Sequence, residues 1–221
     1  MKLPQWADRT CRIRFTLESK EALYVGKLKF QLIKDGVKNK LSGLDFTVDA
    51  IAGKIKLFVA DNNSTIKLGR ITGNYEIHLW RKSVLTIKNQ TTCNDARLIC
   101  DNSEIVIGED CLLSDQIVFQ SNDQHGIIDL NTNEIVNDTH KTILVGDHVW
   151  IGRRVNLLHG TKIGSGSIVG LGSLVNKKFK KNSLVAGVPA KTIKDDVTWS
   201  RQTSSIDNYA TKIMSDFRKN K

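Results

Sequence analysis

Between residues 145 and 175 the chain reads VGDHVWIGRRVNLLHGTKIGSGSIVGLGSLV, and an aliphatic residue returns every six positions: Val145, Ile151, Leu157, Ile163, Val169, Val175. Gly146, Gly152, Gly164 and Gly170 follow four of them, and Val149, Val155, Thr161, Ser167 and Ser173 come four positions after an aliphatic. A period of six fits neither an amphipathic helix nor an alternating strand. It is the signature of a parallel β-helix, in which three hexads close one triangular coil of about 18 residues. Each aliphatic side chain then points inward and stacks on its equivalent in the next coil. The glycine lets the backbone turn a corner without a Cβ clash. One coil buries little alone, so several must stack.

The period continues upstream in blurred form, at IKLG (Leu68), LTIK (Ile87), IVIG (Ile107), ILVG (Val145) and TKIG (Ile163). The gaps between these numbers are 19, 20, 38 and 18, and 38 equals two coils of 19. Cys93 and Cys111 then lie about one coil apart and are expected to share a column. Coils are expected over residues 55–194. Residues 1–54, with the lysine-rich loop KDGVKNKLSG, are expected to form a cap of strands or irregular structure. The polar segment 126–142, GIIDLNTNEIVNDTHKT, interrupts the period and reads as an extruded loop, and long loops on such scaffolds usually carry function. Residues 195–221 read as a helical tail, with Ile206, Tyr209, Ile213 and Phe217 at roughly helical spacing as a packing stripe.

With 221 residues and 40% hydrophobic content, the chain has enough apolar surface for a real core. It has no apolar run of about 18 residues, so no spanning helix is expected. The N-terminus lacks the apolar stretch of a secretory signal, and a cytoplasmic location is expected. The cysteines, Cys11, Cys93, Cys100 and Cys111, form no CxxC pair and have no histidine cluster beside them, so they read as free buried thiols and no metal is expected. Basic and acidic side chains balance over positions 1–140, at 18 of each, whereas positions 141–221 hold 15 basic and five acidic, so the whole net charge of +10 lies in the C-terminal part. That excess reads either as a solvated surface or as attraction for an anionic ligand. Nucleic acid is not expected, because 6% aromatics offer no stacking platform and no recognition helix is evident.

Four segments, SNDQHG (121–126), GDHVWIG (146–152), IGSGSIVGLGSLV (163–175) and AGVPAKTIK (186–194), together resemble the hexapeptide-repeat acetyltransferases. Within that family the chain looks most like the sugar and capsular-polysaccharide O-acetyltransferases, including the polysialic acid type. The D-x-H loop and the W-x-R after the tail, Trp199 and Arg201, carry this closer resemblance. The resemblance implies an all-β, left-handed parallel β-helix. It implies acetyl-coenzyme A as donor and a sugar hydroxyl as acceptor. It also implies a homotrimer whose sites are shared between chains.

An alcohol is a weak nucleophile at neutral pH and needs a base to take its proton; imidazole suits that task. His125 stands where the family's catalytic histidine stands. Asp123, two residues earlier, would face the same side in an extended segment, to orient the imidazole or meet the acceptor. Trp150, by resemblance, lies at the donor and acceptor site. The backbone N–H near Gly152 and Arg153 matches the donor to the thioester carbonyl oxygen. Arg153 replaces a residue that is often small. Leu171, Asn176 and Lys177 match coenzyme-groove positions, and Lys191 and Lys194 match basic residues near its phosphates. His140, His148 and His159 are expected at the surface or near the acceptor, and His78 in a structural role. No G-x-S-x-G occurs and no cysteine lies in these motifs, so direct transfer without a covalent intermediate is expected.

Three other readings stay open on the sequence. An N-acetyltransferase of an amino sugar nucleotide or an antibiotic shares VWIG and the groove. A carbonic anhydrase-like metal enzyme needs three histidines at coil spacing, and only His140 and His159, nineteen apart, come near it. A non-catalytic scaffold needs neither the D-x-H loop nor the groove.

Overall fold

The computed structural model describes residues 3–36 and 40–219; residues 37–39, within the KDGVKNKLSG loop, lie outside the described residues. The chain winds into a β-helix of triangular section with three parallel faces. The first face stacks eight strands: 12–15, 45–48, 65–68, 84–87, 103–107, 141–145, 162–163 and 178–179. The second runs through 112–113, 150–151, 168–169 and 183–187. The third runs through 117–120, 156–158 and 174–175.

The hexads map onto these faces in turn. Val145 stacks between Ile107 and Ile163 on the first face, Ile151 between Leu113 and Val169 on the second, and Leu157 between Phe119 and Val175 on the third. All nine side chains are buried. The corner hydroxyls are buried too and bond to carbonyls that the turn leaves over: Thr161 Oγ1 donates to Val175 O at 2.9 Å and Ser173 Oγ to Gly170 O at 2.6 Å. At Gly152 a Cβ would stand 2.8 Å from Leu171 N and 2.9 Å from Val169 O, so this glycine answers the close approach of the next coil. The left-handed turn itself comes two positions later, at Arg154 with φ 57°.

The early coils blur the period for a physical reason. Strands 52–59, 72–80 and 92–101 run through the corner between the second and third faces without a break. The 92–101 strand pairs with 112–113 by its first half and with 117–120 by its second. From there on the two faces separate and the hexads sharpen. Positions 1–54, expected to form a cap of strands or irregular structure ahead of the coils, already contribute strands to the ladder: 12–15 pairs with 45–48, and 28–34 with 52–59, both in parallel. Helix α1 (Leu17–Tyr24) is set between them, and its N-cap Thr16 accepts from Ser19 N.

Two spacing arguments fail. The stretch from Ile107 to Val145 is one coil, not two, because Val145 pairs directly with Ile107 and the extruded segment accounts for the surplus. Within that segment 128–129 and 134–135 form a small antiparallel hairpin. Cys93 and Cys111 do not share a column. Cys93 stacks on Leu113, and Cys111 lies one coil above Thr91, whose Oγ1 accepts from its amide. The longer coil at this height puts the two cysteines out of step. All four cysteines are free and buried, and burial pushes the Cys111 thiol up to about 12. After Gly187 the chain turns back, pairs 190–195 antiparallel on 183–187, and ends in helix α2 (Asn208–Lys219).

Candidate active site

The expected site residues fall at two corners of the prism. The corner after the third face holds Asp123 and His125, then His159 one coil on, then Asn176 and Lys177. The corner after the second face holds Gly152, Arg153 and Leu171, with Trp150 just before it. Both corners border the third face, at its opposite edges. Within one chain they do not meet.

At the first of these corners, His125 is exposed on a pocket of about 210 Å³ that Arg81, Asp101, Asn122, Gln124, Asn137 and Asp138 also line. Asp123 does not share its side. Gln124 between them is left-handed at φ 64°, and the alternation of an extended strand is broken there. Asp123 Oδ2 instead accepts from Asn137 Nδ2 at 3.0 Å, and its Oδ1 lies 3.5 Å from His159 Nε2. Asn137 closes the base of the extruded loop: its Nδ2 also donates to His125 O at 2.8 Å, and its Oδ1 accepts from Ile127 N at 2.8 Å. Arg81 ties the far end of the loop to the preceding coil, through Asp101 Oδ1 at 2.6 Å and Asp138 Oδ1 at 2.5 Å. These two carboxylates hold the guanidinium above its ordinary pKa, Asp101 foremost by its hydrogen bond. With both partners engaged, the pocket is not a free cationic site.

At the second corner a groove of about 470 Å³ is lined by Trp150, Gly152, Arg153, Leu171, Asn94 and Asp115 among others. Leu171 is 74% exposed and Trp150 39%, so both present apolar surface to it. The Gly152 amide is bonded into the ladder, to Val169 O at 2.8 Å, which leaves the Arg153 amide as the candidate donor to an oxyanion. The Arg153 side chain turns aside to Asp115 Oδ1 at 2.7 Å. Lys191 pairs with Ala186 and Lys194 with Leu184 on the returning strand, both exposed beyond Gly170. The structure thus gathers Trp150, Gly152, Arg153 and Leu171, sets Lys191 near them, and leaves Asn176 and Lys177 at the His125 corner. Lys177 Nζ there sits over the Phe179 ring at 5.4 Å.

His148, expected outward, is buried at 1% exposure. The C-terminal tail folds back over it. Its Nδ1 lies 2.6 Å from Asp110 Oδ2, its Nε2 3.0 Å from Trp199 O, and its ring stacks on the Trp199 indole at 4.4 Å. His78 is also buried, stacked on Phe58 at 4.5 Å, with Nε2 3.0 Å from Glu76 Oε1. Sequence reasoning missed the place of His159. It stands one coil above Ser121, and subtracting the extruded loop from the numbering between them would have found it. Nothing in the sequence marks Asn137.

No protein-family model matches the chain. It is 31% identical over 167 residues to the polysialic acid O-acetyltransferase of Neisseria meningitidis, across 75% of this chain and 74% of that protein. It is 32% identical over 104 residues to the polysialic acid O-acetyltransferase of Escherichia coli O1:K1, across 47% of this chain but only 34% of that protein's length. The solved polySia-specific acetyltransferase NeuO superposes with a TM-score of 0.66 over 87% of this chain and 93% of that one, at 24% identity, a likeness of fold. The architecture is therefore the left-handed parallel β-helix that the resemblance implied. Sequence relatedness over three quarters of both chains and the shared coil architecture place this protein in the hexapeptide-repeat acetyltransferase family, alongside the polysialic acid O-acetyltransferases.

Proposed function

We propose that the protein transfers acetyl from acetyl-coenzyme A to a sugar hydroxyl of a capsular or surface polysaccharide. The observation that carries this is the placement of an exposed imidazole, His125, and an apolar groove with an available amide, at Arg153, on the two edges of one face. His125 takes the hydroxyl proton as the oxygen attacks the thioester carbonyl. The new C–O bond forms, the Arg153 amide holds the oxyanion, the C–S bond breaks, and the proton passes to the departing thiolate to leave free coenzyme A. Asp123 acts on the acceptor side with His159, since its carboxylate faces that ring. Trp150 and Leu171 cover the pantetheine arm, while Asn176, Lys177, Lys191 and Lys194 meet its polar end and phosphates. The four cysteines are buried, so none of them offers a thiolate for a covalent intermediate.

Assembly completes the site. The outer surface of the third face presents Val118, Leu158 and Leu174. A closed trimer that turns this face to a common axis sets the His125 corner of one chain against the Trp150 corner of the next. The four unpaired thiols fit a reducing, cytoplasmic setting, and no described helix is long and apolar enough to cross a membrane.

The acceptor we propose is anionic, because the net charge of +10 lies in the C-terminal part and two relatives are named for polysialic acid. Thiol release from acetyl-coenzyme A, measured against polysialic acid, other acidic glycans and neutral glycans, tests it. Release is expected with acidic glycans and is expected to fall as salt rises. Equal rates on neutral glycans would overturn the anionic acceptor, and release only with amines would overturn O-acetylation.

A further inference from the structure

The C-terminal tail carries a group that the proposed chemistry does not use and that the fold nevertheless buries at the back of the groove. Trp150 shows one side to the groove. On its other side stands Trp199, with ring centroids 6.2 Å apart and the planes tilted by 48°. Trp199 is only 6% exposed, although it belongs to a segment without regular structure between strand 190–195 and helix α2.

What holds Trp199 is a closed ring of contacts to the coils. Its Nε1 donates to His148 O at 2.9 Å, and its own carbonyl lies 3.0 Å from His148 Nε2. The His148 imidazole stacks on the indole within 9° of parallel. Asp110, 3% exposed, takes His148 Nδ1 on one oxygen and Arg201 Nε, at 2.9 Å, on the other. Arg201 then lies over the Trp199 indole at 5.5 Å from its centroid and donates to Thr92 Oγ1 at 3.1 Å. Both histidine nitrogens face oxygens, a carboxylate and a carbonyl. Tail and coil are thus locked at two tail residues, and the lock ends at the back of the Trp150 ring. An indole that is 39% exposed on a groove wall has several rotamers open to it unless something backs it.

From this geometry we infer that Trp199 is a positioning residue for the acyl donor site: anchored by His148, Asp110 and Arg201, it fixes the Trp150 ring as the wall of the groove. Trp199 touches no reacting atom. It acts through Trp150, and the inference rests on the reading of that groove as the acetyl-coenzyme A site. The short tail, outside the repeat, is then part of the binding machinery.

A double-mutant cycle on the full-length protein tests it, with KM for acetyl-coenzyme A, kcat and Tm measured for Trp150→Ala, Trp199→Ala, Trp199→Phe, Arg201→Ala and the Trp150→Ala/Trp199→Ala pair. Trp199→Ala is expected to raise KM by roughly 3- to 100-fold, the range of coupling between contacting residues. The double variant is expected to be no worse than Trp150→Ala alone. Trp199→Phe keeps a ring against Trp150 and is expected to recover most of the affinity. Arg201→Ala, which loosens the anchor only, is expected to shift KM in the same direction by less. Should Trp199→Ala fail to fold, Trp199→Phe and Arg201→Ala carry the comparison through their KM values. A fall in Tm with KM unchanged, or fully additive effects in the cycle, would leave Trp199 a structural residue and overturn the inference. If Trp150→Ala itself leaves KM unchanged, the groove reading fails and the inference with it.

Discussion

Replacing His125 with alanine is expected to lower kcat by roughly 10²–10⁴-fold, the usual contribution of a positioned base, while acetyl-coenzyme A still binds. The separation follows from the placement of the groups. His125 lines a pocket at the edge of the third face, and none of the groove residues at the other edge contacts it within the chain. Its backbone is held by Asn137 rather than by its own ring, so losing the imidazole leaves the loop base bonded. Steady-state turnover by thiol release, beside calorimetric binding of acetyl-coenzyme A, checks both halves. A loss of binding equal to the loss of turnover would mean that His125 holds the donor rather than the proton.

The second large effect is on stability. Phe119 is fully buried in the column Leu98–Phe119–Leu157, and the segment that leads to His125 begins two positions later. Phe119→Ala removes a ring from a ladder whose strands cannot close the gap, since each is hydrogen-bonded to both neighbours. Such a truncation costs about 3–5 kcal/mol, and for a chain of this size it is expected to lower Tm by roughly 6–20 °C. Thermal melting followed by circular dichroism gives the number. Phe58→Ala is the comparison: it lies on the outer side of strand 52–59, three coils earlier, half-buried against His78, and should cost clearly less.

The late coils were legible because one residue in six tells which side chains enter the core, and Val145 to Val175 visit the three faces in order. The early coils were not, because their long strands pass a corner without a break, with a register slip between Gly73 and Tyr75. Counting also failed where an insertion hid in it: the extruded loop made one coil look like two. For the candidate site the sequence named residues and not their arrangement. Period-two alternation set Asp123 beside His125, yet one left-handed residue, Gln124, turned the carboxylate toward His159 instead. His148 reads as an outward position in the hexad and is buried only because Trp199, far along the chain, returns to stack on it. Local patterns carry no record of such long returns.

The proposed site is built from two corners of two different chains. Co-expression of His125→Ala with Leu171→Glu, each under its own affinity tag, tests it most directly. Leu171 is 74% exposed, so the glutamate is tolerated by the fold while it fills the groove and repels the donor's phosphates. Each variant alone is expected to be nearly inactive. In purified mixed trimers, which hold two chains of one kind and one of the other, one of the three junctions joins an intact His125 corner to an intact groove, so thiol release is expected to return to about a third of the wild-type rate. Mixed assemblies as inactive as their parents would contradict the shared site and require both corners to act from within one chain.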